Sequence, residues 1–193
     1  IENAIIPCVS NHPTNIIFLT CDAFGVLPPV SKLDLESAMY HFISGYTAKI
    51  PGTEDGVSEP IATFSACYGE AFIVWHPLRY AELLVDKIES QSKLGNDIDI
   101  WLVNTGWVGG DYNSKDSRRC PLSVTRHIVD SIHDGTLKNE TFKTLPIFGL
   151  KYPTNIKSID NDGNNILDPV NSWKDSKKDG FGVEESRGLH IGN

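Results

Sequence analysis

Apolar and polar positions divide the chain into alternating short strands and helices. Residues 16–19, Ile-Ile-Phe-Leu, form an apolar run that reads as a buried strand, and Gly25, Pro28 and Pro29 punctuate the loop after it. Leu35, Met39, Phe42, Ile43 and Tyr46 then recur at helical spacing, which predicts a helix over 34–46 capped by Ser31 or Asp34. Pro77 suits the first turn of a second helix, whose stripe is Leu78, Ala81, Val85 and Ile88 and which ends in the polar stretch 90–96. Residues 98–104 alternate at first and then give way to an apolar run, as in a strand entering a core. Ser123 is the expected N-cap of a third helix running through His133, with Val124, Ile128 and Ile132 on one face and Gly135 closing it. Residues 144–152 read as a further strand broken by Pro146 and Gly149. The sum is an α/β chain, in which the loops leaving strand carboxyl ends are the places to look for a site.

Three loops draw attention on that basis. In residues 16–32, Asp22 sits where the strand gives way, and Lys32 lies just past two prolines that fix φ. Residues 51–62 hold two glycines, two prolines and three acidic residues, a flexible polar loop. Residues 105–122 make a loop long enough to suggest function, and its far end brings Arg118, Arg119 and Arg126 around a helix N-terminus, the makings of a local anion site. Other candidates read as structural. Ser65 and Cys67 lack a nucleophile elbow or a neighbouring base, Tyr40 and His41 suit a packed helix surface, and Asp160-Asn161-Asp162-Gly163 lacks the later glutamate of a calcium loop and reads as a turn.

The chain has 193 residues and a net charge of −8, which argues against nucleic acid or an anionic membrane as partner. No run reaches the length of a membrane span and no signal peptide is visible, although the first residue is not Met. Cys8, Cys21, Cys67 and Cys120 are widely spaced, so reduced thiols in a cytoplasmic protein are the default. The six histidines show no metal-ligand spacing.

Longer words carry more. Thr20-Cys21-Asp22-Ala23-Phe24-Gly25-Val26-Leu27-Pro28-Pro29-Val30-Ser31-Lys32-Leu33, Tyr40-His41-Phe42-Ile43-Ser44-Gly45-Tyr46-Thr47-Ala48-Lys49, Gly52-Thr53-Glu54, Thr63-Phe64-Ser65-Ala66-Cys67 and Asn104-Thr105-Gly106-Trp107 follow in order. Together they resemble the ATP-dependent phosphoenolpyruvate carboxykinases over residues 1–173. Arg119-Cys120-Pro121-Leu122 and Asp130-Ser131-Ile132-His133-Asp134-Gly135 look most like fungal members. The resemblance implies the distal part of a mixed-sheet C-terminal nucleotide-binding domain. It implies oxaloacetate and ATP as substrates, giving phosphoenolpyruvate, ADP and CO2, with Mg2+ on the nucleotide and Mn2+ at the enolate. It places Arg119, Cys120 and Thr125 against the adenine nucleotide. A guanidinium plane would stack on the base, a threonine hydroxyl would read its edge, and Cys120 would contribute mainly backbone. It gives Lys32, arginine in bacterial members, the neutralisation of charge on the transferring phosphoryl group. It also implies a mobile lid around Gly52-Thr53-Glu54 and leaves association of like chains open.

Parts of the family's pattern are missing. No Gly-x-x-x-x-Gly-Lys-Ser/Thr loop occurs in the 193 residues. The metal ligands are expected upstream of Ile1, so no metal ligand is assigned in this chain. Residues 174–193 match nothing in the family and are polar enough to predict disorder. Two readings follow: a piece of a working carboxykinase, or a truncated chain that at most binds adenine nucleotide. A kinase of another substrate on the same scaffold fits the 20–32 segment less well.

Overall fold

The computed structural model describes residues 2–52, 55–115 and 117–172. Nine strands and five α-helices are found among them. The strands are β1 (Asn15–Thr20), β2 (Val30–Leu33), β3 (Tyr46–Lys49), β4 (Ile61–Phe64), β5 (Asp99–Asn104), β6 (Trp107–Val108), β7 (Arg118–Arg119), β8 (Phe142–Thr144) and β9 (Lys151–Pro153). The helices are α1 (Leu35–Ser44), α2 (Pro77–Lys93), α3 (Leu122–His133), α4 (Asn161–Asn165) and α5 (Pro169–Ser172).

The main sheet runs β1-β5-β2-β9-β8, with β1 and β5 parallel and the other neighbours antiparallel. It is therefore the mixed sheet of an α/β protein. Two apolar layers cover its faces. On one face Val30, Trp101 and Val103 pack with Val124, Ile128 and Ile132 of α3. On the other face Phe18, Ile100 and Leu102 pack with Ala38 of α1 and Ile88 of α2. Strand side chains alternate between the faces, so one buried strand feeds both layers. This explains why β5 is apolar nearly throughout.

Local chemistry fixes the helix ends. Asp34 caps α1 by accepting from Ser37 N–H at 2.9 Å, and Gly45 ends it in the left-handed region at φ 51°. Pro77 does open α2, but its buried positions are Ala81, Ile88 and Gln91, while Leu78 is exposed. Ala81 and Ile88 of the expected stripe are buried and Val85 is half-buried, so the stripe holds but for Leu78, and Leu84 packs against the same cluster. Helix α3 starts one residue before Ser123, with Pro121 in the cap position and no side-chain cap.

Three expectations change. Residues 144–152 form not one broken strand but the hairpin β8–β9, turned at 145–150. The 160–163 turn is an N-cap, with Asp160 accepting from Gly163 N–H at 2.7 Å to start α4. The helix expected to reach Tyr46 stops at Ser44, and Tyr46 opens the ribbon β3–β4. Thr53, Glu54, Trp173 and the tail 174–193 lie outside the described residues, so the expected lid tip and disorder gain no structural account.

Candidate functional site

Strands β1 and β5 end side by side, and the loops leaving them are joined by hydrogen bonds. Asp22, 1% exposed, turns its carboxylate back onto its own loop. Oδ1 accepts from Phe24 N–H at 2.9 Å, and Oδ2 from Val26 N–H at 2.6 Å and Leu27 N–H at 2.8 Å. Tyr46 Oη donates to Oδ1 at 2.9 Å, which ties the β3–β4 ribbon to the same carboxylate. Burial and that carboxylate push the Tyr46 phenol far above its ordinary range. The four donors occupy both oxygens, so Asp22 is a structural residue that shapes the loop.

Asn104, fully buried, is the second joint. Its Oδ1 accepts from Asp22 N–H at 2.9 Å and from Gly106 N–H at 2.8 Å, while Nδ2 donates to Leu27 C=O at 3.1 Å. Trp107 N–H donates to Asp22 C=O at 2.7 Å. Two glycines allow the contact to be this close. A Cβ on Gly106 would stand 2.2 Å from Asp22 carbonyl oxygen, and one on Gly25 would stand 2.3 Å from that of Gly110.

From this base rises the short ribbon β6–β7, which pairs Trp107 with Arg119 and Val108 with Arg118. The long loop is therefore pinned at its root. Arg119 Nε donates to Thr105 C=O at 3.1 Å, and its guanidinium carbon lies 5.7 Å from the centre of the Trp107 ring. Cys120 N–H donates to Gly106 C=O at 2.7 Å. The Cys120 thiol is buried, lies 3.8 Å from Thr125 Oγ1, and is pushed above its ordinary range by burial. Thr125 sits in the first turn of α3, where Val124 anchors the helix in the core. The structure thus brings Arg119, Cys120 and Thr125 together. Cys21, also buried with its thiol raised by burial, lies behind them near Thr105 and Arg119.

Lys32 does not join that group. It is a strand residue of β2 rather than a loop residue, and it pairs with Trp101 of β5. Four residues of β5 direction separate it from Thr105, about 13 Å at strand rise. Its Nζ pairs with Asp99 at 2.7 Å and lies 5.4 Å from the Trp101 ring centre. The ammonium is thus neutralised at the end of β5 remote from the loops. Arg118 and Arg126 are exposed and flank the group, and the Arg118 charge acts on the Cys120 thiol.

A second concavity lies on the α1 side of Asp22. It is a cavity of about 640 Å3 whose walls include Phe24, Leu27, Tyr40, His41, Phe64 and Phe148. Burial lowers the His41 imidazole to about 4, so it is neutral there. Among the described residues no group of three or more His, Cys, Asp or Glu comes together to hold a metal ion. No described helix is long and apolar enough to cross a membrane.

Sequence reading singled out Arg119, Cys120 and Thr125 but missed Asn104, although a polar residue closing an otherwise apolar strand was visible at that position. It also missed Trp107 as the neighbour of Arg119, because the ribbon that pairs them joins two residues at each end and has no periodicity to detect.

Comparison with known proteins agrees with this architecture. The phosphoenolpyruvate carboxykinase family model matches residues 1–162. A phosphoenolpyruvate carboxykinase (ATP) of Arabidopsis thaliana is 57% identical over 177 residues, which is 92% of this chain and 25% of that protein. The Saccharomyces cerevisiae enzyme of that name is 54% identical over 174 residues, 90% of this chain and 30% of its own length. That of Dictyostelium discoideum is 49% identical over 178 residues, with shares of 92% and 30%. The chain therefore spans a quarter to under a third of these relatives. On the family match and on these identities, the chain belongs to the phosphoenolpyruvate carboxykinase family.

Proposed function

We propose that this chain supplies the base-facing wall of the ATP site of a phosphoenolpyruvate carboxykinase (ATP). On this reading residues 1–173 are the distal part of its C-terminal nucleotide-binding domain. The observation that carries the reading is the convergence of Arg119, Cys120 and Thr125 where β1 and β5 end. Arg119 offers a flat cation whose Nε is anchored on Thr105 C=O, and such a plane stacks on adenine. Thr125 offers a hydroxyl at the start of a helix. Cys120 shapes the wall through its backbone and its buried thiol.

The reaction of the whole enzyme would convert oxaloacetate and ATP to phosphoenolpyruvate, ADP and CO2. Mg2+ and Mn2+ would serve it, and no residue of this chain is assigned to either. The lack of a glycine-rich phosphate loop in the sequence favours a chain that binds the base and does not by itself transfer phosphate. Lys32 stands apart from this wall, in an ion pair with Asp99 that keeps about a third of each side chain in solvent, and is retained in the reading as the charge that would face the transferring phosphoryl group.

The test is equilibrium dialysis of ATP against the 193-residue chain and its Arg119→Ala variant. The unaltered chain should bind ATP saturably, and the variant should bind at least tenfold more weakly. Equal binding by both would remove Arg119 from the site, and no binding by either would remove the reading.

A further inference from the structure

The feature that the nucleotide reading leaves unused is the amide of Asn104. It is uncharged, wholly buried and distant from solvent, so it touches no ligand. Its bonds run to three separate pieces of backbone: Asp22 and Gly106 through Oδ1, and Leu27 through Nδ2. The piece that matters is Gly106. Its N–H is held by Asn104 and its C=O receives Cys120 N–H at 2.7 Å. The next carbonyl back, that of Thr105, receives Arg119 Nε at 3.1 Å. One peptide turn thus carries Asn104 on one side and both Arg119 and Cys120 on the other.

We propose that Asn104 is the positioning residue of the base site, setting the height of the Arg119–Cys120 rung above the sheet through Gly106. The proposal rests on the nucleotide reading above and adds to it the means by which the site is preformed. Several features make Asn104 suited to the task. Its own N–H is bound to Pro29 C=O at 2.9 Å, so the amide stands on a fixed backbone. It has an acceptor shared by two N–H groups and a donor turned the other way, which a buried carboxylate or an apolar side chain cannot reproduce together. Gly106 has no Cβ, so its peptide lies directly on Asp22, and the turn has no slack to absorb a displaced amide. A ligand group held by such a turn loses little conformational freedom on binding, and this is how preorganisation raises affinity.

The measurement is a double-mutant cycle on ATP binding with the full 193-residue chain. Asn104→Ala should weaken ATP binding about tenfold when Arg119 is present. In the Arg119→Ala background the same change should alter binding less than twofold, because the group that Asn104 positions is gone. Equal losses in both backgrounds would show a general structural effect and overturn the proposal, as would no loss in the first. Should Asn104→Ala not fold, hydrogen exchange on the unaltered chain decides. The Gly106 and Cys120 amides should be protected to the same extent before and after ATP is added. Rapid exchange that ATP alone suppresses would show that the ligand, and not Asn104, orders the turn. ATP binding that is absent from the unaltered chain would defeat the nucleotide reading itself. Binding with additive losses would defeat only the role of Asn104.

Discussion

The two sides of Asp22 are built on opposite terms. Toward β5 lies a polar joint in which the Asn104 amide satisfies the backbone of Asp22, Leu27 and Gly106. Toward α1 lies a wide cavity with aromatic walls, where His41 is held neutral by burial. The polar side has no spare volume, since a methyl group on Gly106 or Gly25 would overlap backbone atoms. The apolar side has volume and few directional bonds. A site that must hold a flat ligand in one orientation needs the first kind of wall, because directional bonds fix position and apolar contact alone does not.

The contrast can be broken most strongly at Asp22. Asp22→Ala would leave the N–H groups of Phe24, Val26 and Leu27 without their acceptor, at about 1–3 kcal/mol each, partly recovered by water because Phe24 is exposed and Val26 only half-buried. A loss of about 4 kcal/mol is expected in urea unfolding. A loss under about 1 kcal/mol would mean that the loop holds its shape by packing, and the two sides would no longer differ in kind.

His41 sharpens the comparison from the apolar side. Its folded pKa of about 4 lies below the ordinary 6.5, so the unfolded chain binds the extra proton first as pH falls. Its contribution is therefore complete above pH 6.5 and is lost as pH drops through 6.5 toward 4. The shift corresponds to roughly 3 kcal/mol by the end of that window. Denaturant titrations at pH 7 and pH 4 should show His41→Phe losing less stability between them than the unaltered chain. Parallel losses would place the proton acceptor elsewhere.

The smallest effect is expected at Lys32. Both partners of its ion pair with Asp99 keep about a third of their side-chain surface in solvent, and such pairs contribute under about 1 kcal/mol. Lys32→Met should shift the urea midpoint little and weaken ATP binding less than Arg119→Ala does. A larger loss than that of Arg119→Ala would show that the base wall is not the main hold on ATP.

The strands β1 and β5, the starts of α1 and α2 and the apolar face of α3 were all legible in the sequence. Each rests on local rules: apolar runs, an Asp or Pro at a helix start, and a stripe at helical spacing. The ribbons β3–β4 and β6–β7 were not legible. Their residues pair across 10 or more positions, and two- or four-residue strands carry too little periodicity to stand out. Lys32 shows the same limit. Its sequence neighbours Pro28 and Pro29 suggested a loop, yet residues 30–33 pair with β5 and turn the side chain to Asp99. Arg119 and Thr125 could be named from the wording of the chain, but Asn104 could not be given a role until Gly106, Asp22 and Leu27 were seen around it.

The contact between Gly25 and Gly110 has a practical meaning for anyone who wishes to redesign this site. The two loops meet backbone against backbone, with no side chain between them. A Cβ at Gly25 would overlap the Gly110 backbone, whereas one at Gly110 would meet the Ser114 side chain at 3.0 Å, so Gly25 is the position of the seam that offers nothing to tune. On the proposed nucleotide reading, changes in base preference are to be sought in Trp107, Cys120 and Thr125, and a library that randomises Gly25 would spend its members on chains that cannot close.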